Sequence, residues 1–433
     1  MKTADPDGDP APLPADPVAA QNNPRGGSSS PVEADVIAAV LAHTPISEVP
    51  RAELQSCFPW TQFYLQNVEY RPQAIICRGN LRSDPSEAYE RVRINVDRTF
   101  GGRFLVVLQE GFAGKPFFAL VPNPAARRPS QVKDSPLLSG VLFLVTLYTT
   151  LSAGAAANGI PLDAVLPVSL ILHPDVLMAG IPYALTLLGI LGCHELARYG
   201  AARRHQMPAS WPYFIPVPFA LGTFGAFVRL KGPVPNRKVL FDLSIAGPVA
   251  GSIGAVLLLL IGLGLSVAVA APVPDPTQPP LMSFQQVDPT LSVMLGILAK
   301  VAMGANLQPG QFIDLHPMAF AAWLGLVVIS LNLMPIGQLD GGHIAHAVYG
   351  QQTGANVGRI ARLLVLLLAL TVQPWLWIWA LLLFFVSSAD EPALNDVTEL
   401  NEVRDLMGLV IFTMLALIVL PMPPFLQGIL GLV

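Results

Sequence analysis

The sequence predicts a mainly α-helical, multi-pass membrane protein of about six or seven spans plus a re-entrant segment. A small soluble α/β domain stands on its N-terminal side. Two observations carry the membrane class. Apolar residues fill 52% of the 433 positions, charged residues only 12%, and mean hydropathy is +0.53. A soluble domain of this length rarely has such a composition. From Pro136 onward, apolar runs also recur at roughly the 20-residue length that a bilayer-crossing helix needs.

Composition excludes other classes. The net charge of −4, with no Lys/Arg-rich tract, gives no footprint for nucleic acid. Cys57, Cys77 and Cys193 are odd in number and lack Cys-x-x-Cys spacing. Neither a disulfide framework nor a thiolate metal site is indicated, and buried free thiols are expected.

Residues 1–35 are rich in Pro, Ala, Asp, Gly and Ser, without apolar periodicity, and are expected to form a disordered tail. The tail matches neither a secretory signal nor an Arg-rich transit peptide. Residues 36–122 turn ordinary in composition. Ala74–Arg82 and Phe104–Gln109 alternate as strands, Ser86–Val96 has helical periodicity between them, and Pro116–Val121 can add another strand. These make the soluble α/β domain, residues 123–135 are a linker, and residues 136–433 form the membrane-embedded domain.

Within that last region the expected spans are Pro136–Ala156, Val176–Arg198, Val239–Val267, Pro317–Leu333 and Leu406–Leu426. Ala361–Ser387 admits two readings. Gln373-Pro374 is either the turn of a hairpin, giving seven spans, or a kink in one tilted span, giving six. Arg127, Arg128, Lys133, Arg203, Arg204, Arg237, Lys238, Arg359 and Arg362 all fall on one side if successive spans alternate. That side, with the soluble domain, is therefore expected to be cytosolic.

The same alternation brings two distant motifs to one end of the bundle. His194-Glu-Leu-Ala-Arg198 closes the second span, where a metalloprotease helix would read His-Glu-x-x-His. Asp340 lies just past the fourth, after Asn332 and Pro335 and before Gly341 and Gly342. Ionisable groups at membrane depth are costly and mark functional sites. Pro335 cannot continue helical hydrogen bonding, Asn332 can satisfy freed backbone groups, and the glycine pair permits a tight turn that aims Asp340 inward.

With these motifs the chain resembles the site-2 protease family of intramembrane zinc metalloproteases (peptidase family M50), particularly its plant and cyanobacterial branch with an extra soluble domain. The likeness runs from about Leu137 to the C-terminus. His194–His205 resembles the family's zinc helix, and Asn332-x-x-Pro335-x-x-x-Leu339-Asp340-Gly341 resembles its third-ligand signature. Pro212–Pro218 and Gly222–Arg229 resemble the re-entrant segment, and Ala246-Gly247-Pro248 the following span. The resemblance implies one zinc ion held by His194 and Asp340, Glu195 as general base, and a histidine at position 198. It also implies transmembrane protein substrates or binding partners in a lipid bilayer. The location implied is a bacterial plasma membrane, or a thylakoid for a cyanobacterial protein. Nothing in the sequence specifies an oligomeric state.

Position 198 departs from that pattern. Arginine has no lone pair for a metal and stays charged. It either snorkels to the interface or replaces the metal's charge by pairing with Glu195 or Asp340. His205 shares the helix face with His194 but lies about 16 Å further along the axis, at 1.5 Å per residue. His343 and His346, beyond the glycine pair, are the candidates for a rescuing ligand. Gly222, Phe224, Gly225 and Phe227 belong to a stretch suited to a short strand with an exposed edge, to which an unwound substrate could add. Alternatively the segment is a structural plug. The functional expectation is zinc-dependent endoproteolysis of membrane-spanning substrates, or else a pseudoprotease that grips such partners without cutting them. A transporter would need repeated halves or midplane charges, and neither is evident.

Overall fold

The computed structural model describes residues 49–111, 114–124, 135–158, 174–218, 221–271, 286–373, 376–387 and 390–432. The expected tail, most of the linker and Pro374 lie outside the described residues.

The N-terminal region is an α/β unit. Helix α1 (Arg51–Ser56) precedes strands β1 (Phe63–Arg71) and β2 (Ala74–Leu81), and α2 (Pro85–Phe100) leads into β3 (Phe104–Glu110) and β4 (Pro116–Pro122). The strands form an antiparallel sheet in the order β1-β2-β4-β3, which leaves β3 at an edge. Asp84 caps α2 by accepting from the backbone N–H groups of Ser86 and Glu87, Pro85 starts the helix, and Gly101 ends it at φ +59°. Tyr89, Val92 and Val96 fall three and four apart, so one face of α2 closes on Val106, Leu108 and Phe118 of the sheet.

The rest is helical. Helices α3 (Pro136–Ala157), α4 (Pro174–Arg204) and α5 (Arg237–Gly264) pack in sequence. Between α4 and α5 lies a hairpin of β5 (Tyr213–Pro216) and β6 (Thr223–Phe227). A small sheet of β7 (Val267–Val269), β8 (Gln286–Val287) and β9 (Phe312–Asp314) brackets α6 (Val293–Met303) at the opposite end. Then follow α7 (Pro317–Asn332), α8 (Asp340–Tyr349), α9 (Gln351–Thr371), α10 (Trp377–Phe385), α11 (Glu402–Val419) and α12 (Pro424–Leu430).

Four helices among the described residues are long and apolar enough to cross a membrane, or five if α11 and α12, bent by 85°, count as one span. Two shorter apolar helices stand beside them. Helix α7, expected as a span over Pro317–Leu333, has 16 residues, and at 1.5 Å per residue it is about 24 Å long. It is enclosed by α4 and α5, which explains why nearly every residue in it is apolar. Helix α6, which the sequence reading passed over, is a second short apolar helix. At 361–387 the chain turns back as a hairpin, because Arg362 of α9 donates 2.8 Å to the carbonyl of Val386 and lies over the ring of Phe384.

Candidate functional site

Helices α4, α5 and α8 meet at one end of the bundle, and there His194, Glu195, Arg198 and Asp340 come together. His194 and Glu195 are adjacent on α4, and Arg198 is one turn further on. Asp340 is the first residue of α8. His194, Glu195 and Asp340 are buried, whereas the Arg198 side chain is 21% exposed.

The sequence folds this way for identifiable reasons. After Asn332 ends α7, Pro335 breaks the helical ladder, and Gly337 takes φ +51° to turn the chain into α8. Gly341 and Gly342 have a different task from the turn expected of them. They lie in the first turn of α8, where a Cβ on Gly341 would fall 1.9 Å from the Leu333 carbonyl oxygen and one on Gly342 2.2 Å from that of Gly337. The pair lets the start of α8 pack directly on the backbone that precedes it. The half-buried Asn332 side chain makes no hydrogen bond among the described residues, so the role expected of it is not seen.

The polar geometry is specific. Nδ1 of His194 lies 3.0 Å from Oε1 of Glu195, and Nε2 lies 3.4 Å from Oδ2 of Asp340. Arg198 donates from Nη1 to Oδ1 of Asp340 at 2.9 Å. Nε2 of His194 and Oε2 of Glu195 are buried without a hydrogen-bond partner. With Nδ1 donating to Glu195, Nε2 faces Asp340, carrying a lone pair in the neutral ring and a proton in the imidazolium.

One contributor was missed as a site residue. A Cβ on Gly247 would sit 2.7 Å from Cε1 of His194, and one on Gly251 3.2 Å from its Cβ. Helix α5 thus opens a glycine-lined slot for the imidazole. The signal was present in Ala246-Gly247-Pro248, although its use depends on which residue faces it.

Of the candidate rescuing ligands, His346 is fully engaged elsewhere. His346 places Nδ1 2.7 Å from Asp390 and Nε2 2.8 Å from Asp396, so neither nitrogen has a lone pair for a metal. His343 has Nδ1 2.9 Å from Asp390. His205 pairs with Asp242 at 3.0 Å. No group of three or more His, Cys, Asp or Glu side chains poised for a metal occurs among the described residues.

The β5–β6 hairpin packs on α3 and α4, and Phe214 approaches Gly192, two residues before His194. Strand β6 pairs with β5 in a two-stranded sheet among the described residues. Gly222 and Gly225 have φ +79° and +110°, which other residues rarely adopt. Phe224 and Phe227 point outward, 72% and 45% exposed.

A zinc ion with bonds of about 2.0–2.2 Å to tetrahedral ligands sets those ligands about 3.3–3.6 Å apart. His194 Nε2 and Asp340 Oδ2 fit two such corners. Position 198, where the resemblance implies a histidine, carries a guanidinium bonded to the other oxygen of Asp340.

Comparison with known proteins gives a consistent pattern. The family model described as peptidase family M50 matches residues 182–372, and one described as the EGY3 middle domain matches residues 52–129. A rice (subspecies indica) protein named probable zinc metalloprotease EGY2, chloroplastic, is 29% identical over 385 residues, covering 87% of this chain and 68% of the relative. Its Arabidopsis thaliana namesake is 28% identical over 369 residues, covering 84% and 63%. Another Arabidopsis thaliana protein, probable zinc metallopeptidase EGY3, chloroplastic, is 27% identical over 376 residues, covering 83% and 63%. These names correct the expected bacterial plasma membrane: the relatives are chloroplastic plant proteins, and of the two membranes expected only the thylakoid agrees with them.

Proposed function

We propose that the chain, whose residues 182–372 match peptidase family M50, is a membrane-embedded endopeptidase of the site-2 protease family acting on membrane-spanning protein segments with the family's zinc chemistry. The observation that carries this reading is the 3.4 Å approach of His194 Nε2 to Asp340 Oδ2, a spacing suited to two ligands of one ion. A zinc ion held there would acidify a water and polarise the scissile carbonyl.

The chain's own groups divide the remaining work. Oε1 of Glu195 accepts the Nδ1 proton of His194 and fixes the tautomer whose Nε2 faces the site. Oε2 of Glu195 has no partner and is the oxygen free to take a proton from the attacking water and pass it to the leaving amine. The β5–β6 hairpin, packed on α3 and α4 beside Gly192, can hold a substrate extended, exposing its peptide bond, as β-strand addition does elsewhere. Arg198 weakens this chemistry by taking the place of a third protein ligand and binding Asp340 through Oδ1.

A second reading rests on that same 2.9 Å bond. With His194 protonated, one guanidinium and one imidazolium balance the two carboxylates Glu195 and Asp340, leaving the buried cluster neutral without a metal. In that state the protein would be a pseudoprotease that grips transmembrane partners without cutting them. Zinc per chain, measured by mass spectrometry on protein purified in detergent, separates the two. Bound zinc with cleavage that Glu195→Gln abolishes supports the endopeptidase, while metal-free protein that retains a transmembrane peptide supports the pseudoprotease.

A further inference from the structure

Helix α8 carries Asp340 at one end and is fastened at the other by charged groups that the proposed chemistry does not use. Arg237, at the start of α5, donates from Nε to the Ala347 carbonyl at 2.8 Å and from Nη2 to that of Val348 at 2.9 Å. His346 is buried with both ring nitrogens against carboxylates, Asp390 at 2.7 Å and Asp396 at 2.8 Å. Two such contacts require two N–H donors, so the ring is an imidazolium.

The segment supplying Asp396 is tied to the N-terminal sheet. Leu108 at the β3 edge donates to the Leu394 carbonyl at 2.7 Å and accepts from the Asp396 N–H at 2.9 Å. On its other side the segment pairs with the residues before α5, Leu394 donating to Val234 and Asn395 to Pro235, each at 2.9 Å. Leu394 and Val397 pack on the core of the N-terminal unit. A continuous path therefore runs from β3 through Asp396 and His346 to Asp340, six residues or about 9 Å up one helix.

We propose that His346 is a positioning residue for Asp340: clamped between Asp390 and Asp396, it fixes the rotation and height of α8 so that Asp340 meets both His194 and Arg198. A buried ion network adds little stability over apolar packing of the same volume, but it fixes one arrangement among neighbours. Ten residues of continuous helix then carry that arrangement to the site without slack.

The proposal rests on Asp340 belonging to the working site, and its test has one arm independent of any metal. In the full chain in detergent, Asp396→Ala and His346→Gln are compared with the conservative Asp396→Asn, which keeps an acceptor for Nε2. In the first arm, phenylglyoxal modification of Arg198 is read by mass spectrometry. Freeing Asp340 should raise it several-fold in Asp396→Ala and His346→Gln, and Asp396→Asn should return it near the native rate. In the second arm, zinc affinity is measured by chelator competition on an Arg198→His background. There, Asp396→Ala should lower it by about 10–100-fold, the usual cost of a lost outer partner. Unchanged Arg198 reactivity, or a zinc affinity insensitive to the clamp, would overturn the proposal. If the Arg198→His protein takes up no zinc, the endopeptidase reading fails, and the arginine arm still decides the clamp. If Asp396→Ala unfolds the chain, the decision passes to His346→Gln with Asp396→Asn as its control.

Discussion

Arg198 donates a 2.9 Å hydrogen bond to Asp340 across 142 positions of sequence. It joins the residue that departs from the family's zinc helix to a residue that the family pattern assigns to the metal. The guanidinium turns inward to a buried carboxylate, with a fifth of the side chain still exposed.

Restoring histidine at this position is the most direct experiment. Arg198→His removes a cation and places a second imidazole one turn from His194, so zinc affinity should rise by at least about 10–100-fold. Zinc content at equal free metal is the measurement. No gain would mean that His194 and Asp340 do not share an ion.

Glu195→Gln preserves size and one acceptor but removes the base. Cleavage of a membrane-spanning substrate, in the native or the Arg198→His chain, should fall by at least the 10²–10⁴-fold typical of general acid–base catalysis. Thermal stability should stay within about 1 kcal/mol, because Gln retains the hydrogen bond to His194 Nδ1.

Gly247→Ala should be damaging out of proportion to its size. The added methyl would overlap the His194 ring, and overpacking of this kind costs about 1–3 kcal/mol. Zinc uptake should fall with it, whereas Gly254→Ala on the same helix, which meets no atom within 4 Å, should leave both unchanged.

The His346 clamp predicts a pH profile for stability. Burial alone would depress His346, but hydrogen bonds to Asp390 and Asp396 hold it up at about 9. Burial would raise Asp390, and its bonds to His343 and His346 bring it down to about 2. A raised histidine contributes fully below its unfolded value of about 6.5 and loses that contribution as pH climbs through 9. A lowered aspartate contributes above its unfolded value of about 3.9 and loses that contribution as pH falls toward 2. The clamp should therefore contribute most between about pH 4 and 6.5, with losses on both sides. The thermal midpoint in detergent should follow this profile, and His346→Gln should remove the alkaline loss.

Much of the fold was legible because it depends on local chemistry. Strands β2, β3 and β4 and helix α2 lie within a few residues of the expected spans, since alternation and helical periodicity act over a few positions. Strand β1 escaped notice because it is mostly exposed, and Tyr64, Asn67, Glu69 and Arg71 leave no clean alternation. Helix α7 is almost wholly apolar, and hydropathy reports burial in protein and burial in lipid alike.

By itself the sequence determined the apolar helical core, the α/β region and the likeness to the family, and it singled out His194, Glu195 and Asp340 as residues that should meet. Each of these follows from residue type, spacing or a contiguous motif. Only the tertiary structure decided which partner Arg198 takes, that Gly247 makes room for the imidazole, that Gly341 and Gly342 serve close packing, and that His346 is clamped by Asp390 and Asp396. Those are contacts between segments far apart in sequence, fixed by how helices pack and by which buried charges can be neutralised together, and no local pattern encodes them.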